Sequence, residues 1–204
     1  MVRVKICGIT REEDLAAAAA HGADAIGLVV GFPRSPRNLS IERARALRRM
    51  APPFLNVVLV VDGADRDMLI RAVREIRPDA VQVYSEVNPD ILRDLGAGWV
   101  IKPVRVEPGI ELDYDGFDAI LLDSSMGRGL VPDWKLCREM RERSRLPVIL
   151  AGGLNSQNVL DVIRIVKPYG VDVSSGVELS PGIKDAHMIR EFIRRVREAE
   201  LDEV

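Results

Sequence analysis

Cysteine and histidine are nearly missing from this chain, with two of each in 204 residues. Neither Cys7 nor Cys137 has a partner at metal-binding spacing, so the sequence offers no zinc framework and no disulfide scaffold. A reduced, cytoplasmic, metal-free protein is expected. Long apolar runs are missing as well. The run at 55–61, broken by Asn56, falls far short of the roughly 20 residues that a bilayer-spanning helix requires. The N-terminal segment lacks the apolar stretch and cleavage signal of a secretory peptide. A dominant charge is also absent: 29 basic and 31 acidic residues leave a net charge of −2, which gives no broad field for nucleic acid or an acidic membrane. The 24 arginines (against five lysines) are scattered along helical stretches as solvated faces. What remains is an ordinary globular composition, 47% hydrophobic and 29% charged, expected to fold as one domain over residues 1–204.

What the chain does have is alternation. Short runs rich in Val, Ile and Leu at 2–7, 25–30, 55–61, 80–84, 99–103, 119–123, 148–151 and 171–174 read as parallel strands, covered outside by helices and inside by a filled interior. Amphipathic stretches at 11–21, 40–50, 65–77, 88–95, 133–144, 155–166 and 185–199 read as the helices between them. Asn155 and Asp185 stand where N-caps are wanted, and Gly22 and Pro168 follow helix ends. Between Pro103 and Phe117 helical periodicity is lacking and Pro108-Gly109 signals a turn, so the fifth helix is expected to be short or missing. Eight strands in strict alternation with helices predict a (β/α)₈ barrel. A doubly wound sheet would be expected to open on Gly-x-Gly-x-x-Gly; the first turn here is Cys7-Gly8-Ile9-Thr10-Arg11-Glu12.

In such barrels chemistry gathers on the loops after the strands, with phosphate after the seventh and eighth. The seventh runs into Gly152-Gly153-Leu154-Asn155 and the eighth into Ser174-Ser175-Gly176. Glycines let backbone N–H groups approach phosphate oxygens closely. One such turn often only redirects the chain, but two on consecutive late strands point to an anion. Cys7 ends the first strand, facing the barrel mouth; Cys137, midway along a helix, reads as a small core residue. Asp123 closes the sixth strand, nearly opposite the first, so the two groups would flank anything bound between them, which suits an acid and a base acting on different atoms. His21 at a helix C-terminus, His187 in the last helix and the Lys184-Asp185 pair read as structural.

Lys5-Ile6-Cys7-Gly8-Ile9-Thr10, Leu121-Leu122-Asp123-Ser124, Leu150-Ala151-Gly152-Gly153-Leu154-Asn155 and Asp172-Val173-Ser174-Ser175-Gly176-Val177-Glu178 together closely resemble the phosphoribosylanthranilate isomerase family of tryptophan biosynthesis. Pro181-Gly182, Lys184-Asp185 and Gly22-Ala23-Asp24-Ala25 extend the likeness over the whole chain. The resemblance implies an Amadori rearrangement of an N-linked phosphoribosyl anthranilate to a 1-amino-1-deoxyribulose phosphate, without metal or cofactor. By the same resemblance Cys7 matches the general base at the sugar C2, and Asp123 the general acid at the furanose ring oxygen. Arg37 matches an arginine that meets the anthranilate carboxylate, and Asp172 a further acidic residue near the substrate. Gly152, Gly153, Ser174, Ser175 and Gly176 fall in the phosphate turns. The expected partner is a small phosphorylated substrate, the expected assembly a monomer or homodimer.

These residue types suit the chemistry. Ring opening creates a protonated imine that acidifies the neighbouring C–H for a thiolate. An ordinary thiol near pKa ~8.5 supplies little thiolate at neutral pH, and an ordinary aspartic acid near ~3.9 holds little proton. Both groups therefore depend on their surroundings, and burial at the mouth beside an anionic substrate would help Asp123 keep its proton. The chain departs from the family pattern twice. Val83-Tyr84-Ser85 stands where Leu-His-Gly is usual, and the loop at 126–132 before Asp133-Trp134 lacks the usual Gly- and Thr-rich, lysine-bearing sequence. Other readings are another sugar-phosphate isomerase or epimerase barrel, and a non-catalytic phosphosugar-binding barrel. An aldose–ketose isomerase of histidine synthesis would favour aspartate at position 7.

Overall fold

The computed structural model describes residues 1–123 and 133–201 of the chain. Eight parallel strands form a closed ring: β1 (Arg3–Cys7), β2 (Ala25–Val30), β3 (Asn56–Val61), β4 (Ala80–Val83), β5 (Trp99–Val104), β6 (Ala119–Leu122), β7 (Val148–Leu150) and β8 (Gly170–Val173). Each pairs with its sequence neighbours, and β1 pairs with both β2 and β8, which closes the barrel. A two-residue extension, Asn38–Leu39, adds to the outer end of β2, and a small antiparallel hairpin (Glu178–Ser180 with Ile183–Lys184) follows β8.

The helices are α1 (Glu12–Ala20), α2 (Ile41–Met50), α3 (Arg66–Ile76), α4 (Pro89–Asp94), α5 (Trp134–Arg143), α6 (Val159–Val166) and α7 (Ala186–Leu201). Their starts follow cap chemistry: the side chains of Ser40, Asp65, Asn88 and Asp133 each accept a backbone N–H from the first turn, as Asp185 does from Met188. One boundary differs from expectation. The helix predicted from 155 begins at Val159, because Asn155 Oδ1 takes the N–H groups of Gln157 and Asn158 and closes a separate turn first. No helix lies between β5 and β6. Instead Val106, Ile110, Leu112, Tyr114 and Phe117 pack from an irregular chain onto the core, so apolar side chains cover the barrel without helical backbone.

Strand alternation sorts side chains into two layers. In β3, Val57, Leu59 and Val61 join the large core between strands and helices, while Val58 and Val60 join a smaller cluster with Val29, Ile101 and Leu121 inside the barrel. Three polar side chains break that apolar interior: Lys5, Gln82 and Asp172, all buried. Their presence beneath the C-terminal mouth marks where the barrel is built for something besides packing.

Candidate active site

The alternation that points Lys5 inward points Cys7 inward two residues later, at the C-terminal end of β1. Cys7 lies opposite Gly27 of β2 in the register. A methyl at Gly27 would stand 2.8 Å from Cys7 Sγ, so the glycine makes the space the sulfur occupies. Asp123 follows β6 and is buried, its N–H donating to Val104 O at 3.0 Å. Both side chains line one cavity of about 240 Å³ at the mouth of the barrel.

Gly152, Gly153, Ser174 and Ser175 line part of that cavity. Gly152 and Gly153 take φ of 94° and 62°, and the amide of Asn158 holds Gly153 O at 2.9 Å. Ser174 Oγ donates to Cys7 O at 3.1 Å, tying the turn after β8 to the end of β1. Gly176 lies behind this wall, packed so closely on Leu154 that a methyl would overlap its carbonyl oxygen. It shapes the turn from behind the cavity lining.

Phe32, Arg37 and Tyr84 also line the cavity, Arg37 close beside Ser174. Arg37 donates from Nε and Nη2 to the two carboxylate oxygens of Glu178 at 2.8 and 2.6 Å. Lys184 Nζ donates to the same carboxylate at 2.7 Å and to Ser174 O at 3.1 Å. Burial pushes the Glu178 carboxyl up, but Arg37 and Lys184 more than reverse this and hold it below the usual carboxylate range. Burial lowers Lys184, against the pull of Glu178. Tyr84 meets Phe32 edge to face with centroids 5.5 Å apart, and its hydroxyl accepts from the Gln82 amide at 3.3 Å. Burial, with the acidic groups around it, pushes the phenol up, so Tyr84 keeps its proton.

Beneath the sulfur, Lys5 Nζ stands 2.9 Å from both Gln82 Oε1 and Asp172 Oδ2. Burial alone would neutralise either member of the ion pair, and it pushes the Asp172 carboxyl up; Lys5 is raised in spite of burial, by Asp172 and Cys7. An ammonium held by two oxygens at hydrogen-bond distance supports the ionised pair. Asp172 Oδ1 is buried with no hydrogen-bond partner among the described residues. Burial raises the Cys7 thiol, Asp172 raises it further, and Lys5 and Lys184 pull the other way, with a net upward shift. The resting cavity thus has two glycines, two serines, an arginine, a thiol and a carboxyl in its wall.

The sequence profile of the N-(5'phosphoribosyl)anthranilate isomerase family matches residues 4–195. An N-(5'-phosphoribosyl)anthranilate isomerase of Methanocella arvoryzae is 43% identical over 97% of this chain and 99% of that protein. The chain belongs to this family. The crystal structure of the phosphoribosylanthranilate isomerase of Thermotoga maritima superposes with a TM-score of 0.84 at 37% identity, covering 97% of this chain and all of that one. A phosphoribosylanthranilate isomerase solved in complex with reduced 1-(o-carboxyphenylamino)-1-deoxyribulose 5-phosphate does so at 0.82, also at 37% identity and the same coverage.

Of the residues singled out from sequence, this family member brings Cys7, Arg37, Asp123, Gly152, Gly153, Asp172, Ser174 and Ser175 onto one cavity. Ser124 and the loop 126–132 lie outside the described residues. Sequence reasoning passed over Lys5, Gln82, Glu178 and Lys184. For Lys5 the signal was available: it sits two residues before Cys7 on one strand face. Lys184 was read with Asp185 as a cap; Asp185 does cap α7, whereas Lys184 turns the other way, into the rim.

Proposed function

We propose that this chain converts N-(5'-phosphoribosyl)anthranilate to 1-(o-carboxyphenylamino)-1-deoxyribulose 5-phosphate by general acid–base catalysis, with Cys7 as base and Asp123 as acid. The observation that carries the assignment is the convergence of thiol, carboxyl and the two phosphate-type turns on one cavity. The turns at Gly152-Gly153 and Ser174-Ser175 present backbone N–H groups to the phosphate. Arg37, in the same wall, meets the aromatic carboxylate, so both anionic groups of the substrate are held. Asp123 donates a proton to the furanose ring oxygen as the C1–O bond breaks and the anilino nitrogen becomes an iminium. Cys7 thiolate then removes the C2 proton; the C–H electrons form the C1–C2 double bond of the enamine, and the iminium π electrons return to nitrogen. Tautomerisation of the resulting enol delivers the ketose. Asp172 Oδ1, lacking a partner in the wall, is placed to accept a substrate hydroxyl. The reaction is expected in the cytoplasm, by a monomer or homodimer.

Each acid–base group is expected to contribute about 10²- to 10⁴-fold. Fluorescence decay of freshly prepared phosphoribosylanthranilate should therefore slow by that factor in Cys7→Ala and in Asp123→Asn, with KM changed little. Full turnover in either variant removes that residue from its role, and an inert wild-type protein removes the isomerase reading altogether.

A further inference from the structure

At the cationic rim, two positive side chains share one carboxylate. Arg37 grips Glu178 through its Nε and Nη2 edge, which leaves the Nη1 edge of the guanidinium for a second acceptor. A bidentate arginine–carboxylate pair is neutral overall and has little net attraction for another anion. Here, however, Lys184 Nζ binds the same carboxylate at 2.7 Å, and its side chain is wholly shielded from solvent. Two cations against one anion leave the cluster with a surplus positive charge facing the cavity. Enclosing an ammonium so completely is costly where a nonpolar side chain could pack, which argues that the charge is kept for use.

We propose that Lys184 is a positioning residue that sets the charge around Arg37. By compensating Glu178 it leaves Arg37 cationic toward the substrate's carboxylate, while Glu178 holds the guanidinium in place. The same ammonium also donates to Ser174 O and Oγ at 3.1 and 3.3 Å. One group therefore connects the carboxylate end of the substrate to the phosphate turn. The inference rests on the isomerase reading for the identity of the anion, and it accounts for selection of an amine substituent that bears a carboxylate.

The test compares affinities for reduced 1-(o-carboxyphenylamino)-1-deoxyribulose 5-phosphate and for its phenyl counterpart lacking the carboxylate, by isothermal titration. In Lys184→Met the cluster becomes neutral, and the preference for the carboxylated ligand should fall roughly tenfold, equivalent to about 1.4 kcal/mol. The double variant Lys184→Met/Glu178→Gln leaves Arg37 as the cluster's sole charge and should regain the preference, a rescue that a purely structural role would not give. An undiminished preference in the single variant, or a double variant as poor as the single, overturns the proposal. If the single variant does not fold, the double decides alone: a preference like the wild type's supports the proposal, and one tenfold below it overturns it. A wild-type protein that binds neither ligand would instead sink the isomerase reading.

Discussion

The sulfur of Cys7 sits between opposing influences. Burial and Asp172 favour the neutral thiol; Lys5 and Lys184 favour the thiolate. Because only the thiolate reacts with alkylating agents, the balance can be read without turnover. Asp172→Asn removes one of the raising influences and leaves Lys5 held by Gln82, so Cys7 should be alkylated by iodoacetamide about three- to tenfold faster at neutral pH. Cys137 does not blur the measurement, being buried in α5 with its thiol pushed up to about 12. An unchanged or slower reaction would show that Asp172 does not govern the sulfur. Little of this was legible beforehand. The motif around Cys7 identified the thiol, and alternation identified its direction, but the charges that tune it come from residues far along the chain. Lys5 and Asp172 are 167 positions apart and meet only through the pairing of β1 with β8.

Among the elements, the strands were the most readable, because runs such as Val57 to Val61 are apolar on both faces and only a doubly covered parallel strand accepts that. The fifth crossover was readable for the opposite reason, an absence of helical period. The start of α6 was not, since Asn155 looks like a cap from sequence and is one, but of a turn rather than the helix. The turns after β7 and β8 depend on each other: Gly176 after β8 rests against the carbonyl of Leu154 after β7. Gly176→Ala must separate them, and backbone against backbone leaves no flexible side chain to yield. The variant should lose about 1–3 kcal/mol of stability and bind inorganic phosphate more weakly, checked by chemical denaturation and by competition with substrate. Stability and phosphate affinity equal to wild type would mean that the two turns do not need this contact.

For the whole molecule, closure is the decisive event. At the rim opposite the site, Asp24 accepts from Val4 N at 2.8 Å, from Arg3 at 2.8 Å and from Arg197 of α7 at 3.0 Å, so one carboxylate gathers the beginning of β1, the beginning of β2 and the last helix. Burial pushes Asp24 up, yet Val4 N–H, Arg3 and Arg197 bring it below its ordinary value. A carboxyl depressed by folding stabilises the fold above its unfolded pKa, near ~3.9, and that contribution disappears as pH falls through the folded value. Asp24→Asn should accordingly cost about 1–2 kcal/mol at neutral pH, and the gap between variant and wild-type melting curves should shrink toward zero on acidification below pH ~4. A gap that persists in acid would assign the loss to geometry instead of charge. The barrel itself was legible as a count of strands, but this clamp was not, because nothing in the local sequence of Asp24 indicates Arg197. Since β1 finds one of its two partners only in β8, a ribosome must deliver almost the entire polypeptide before the first strand is flanked on both sides. Until then Cys7 and the serine turn after β8 belong to separate, unjoined stretches of a nascent chain, and a premature fragment ending before β8 lacks part of the cavity wall.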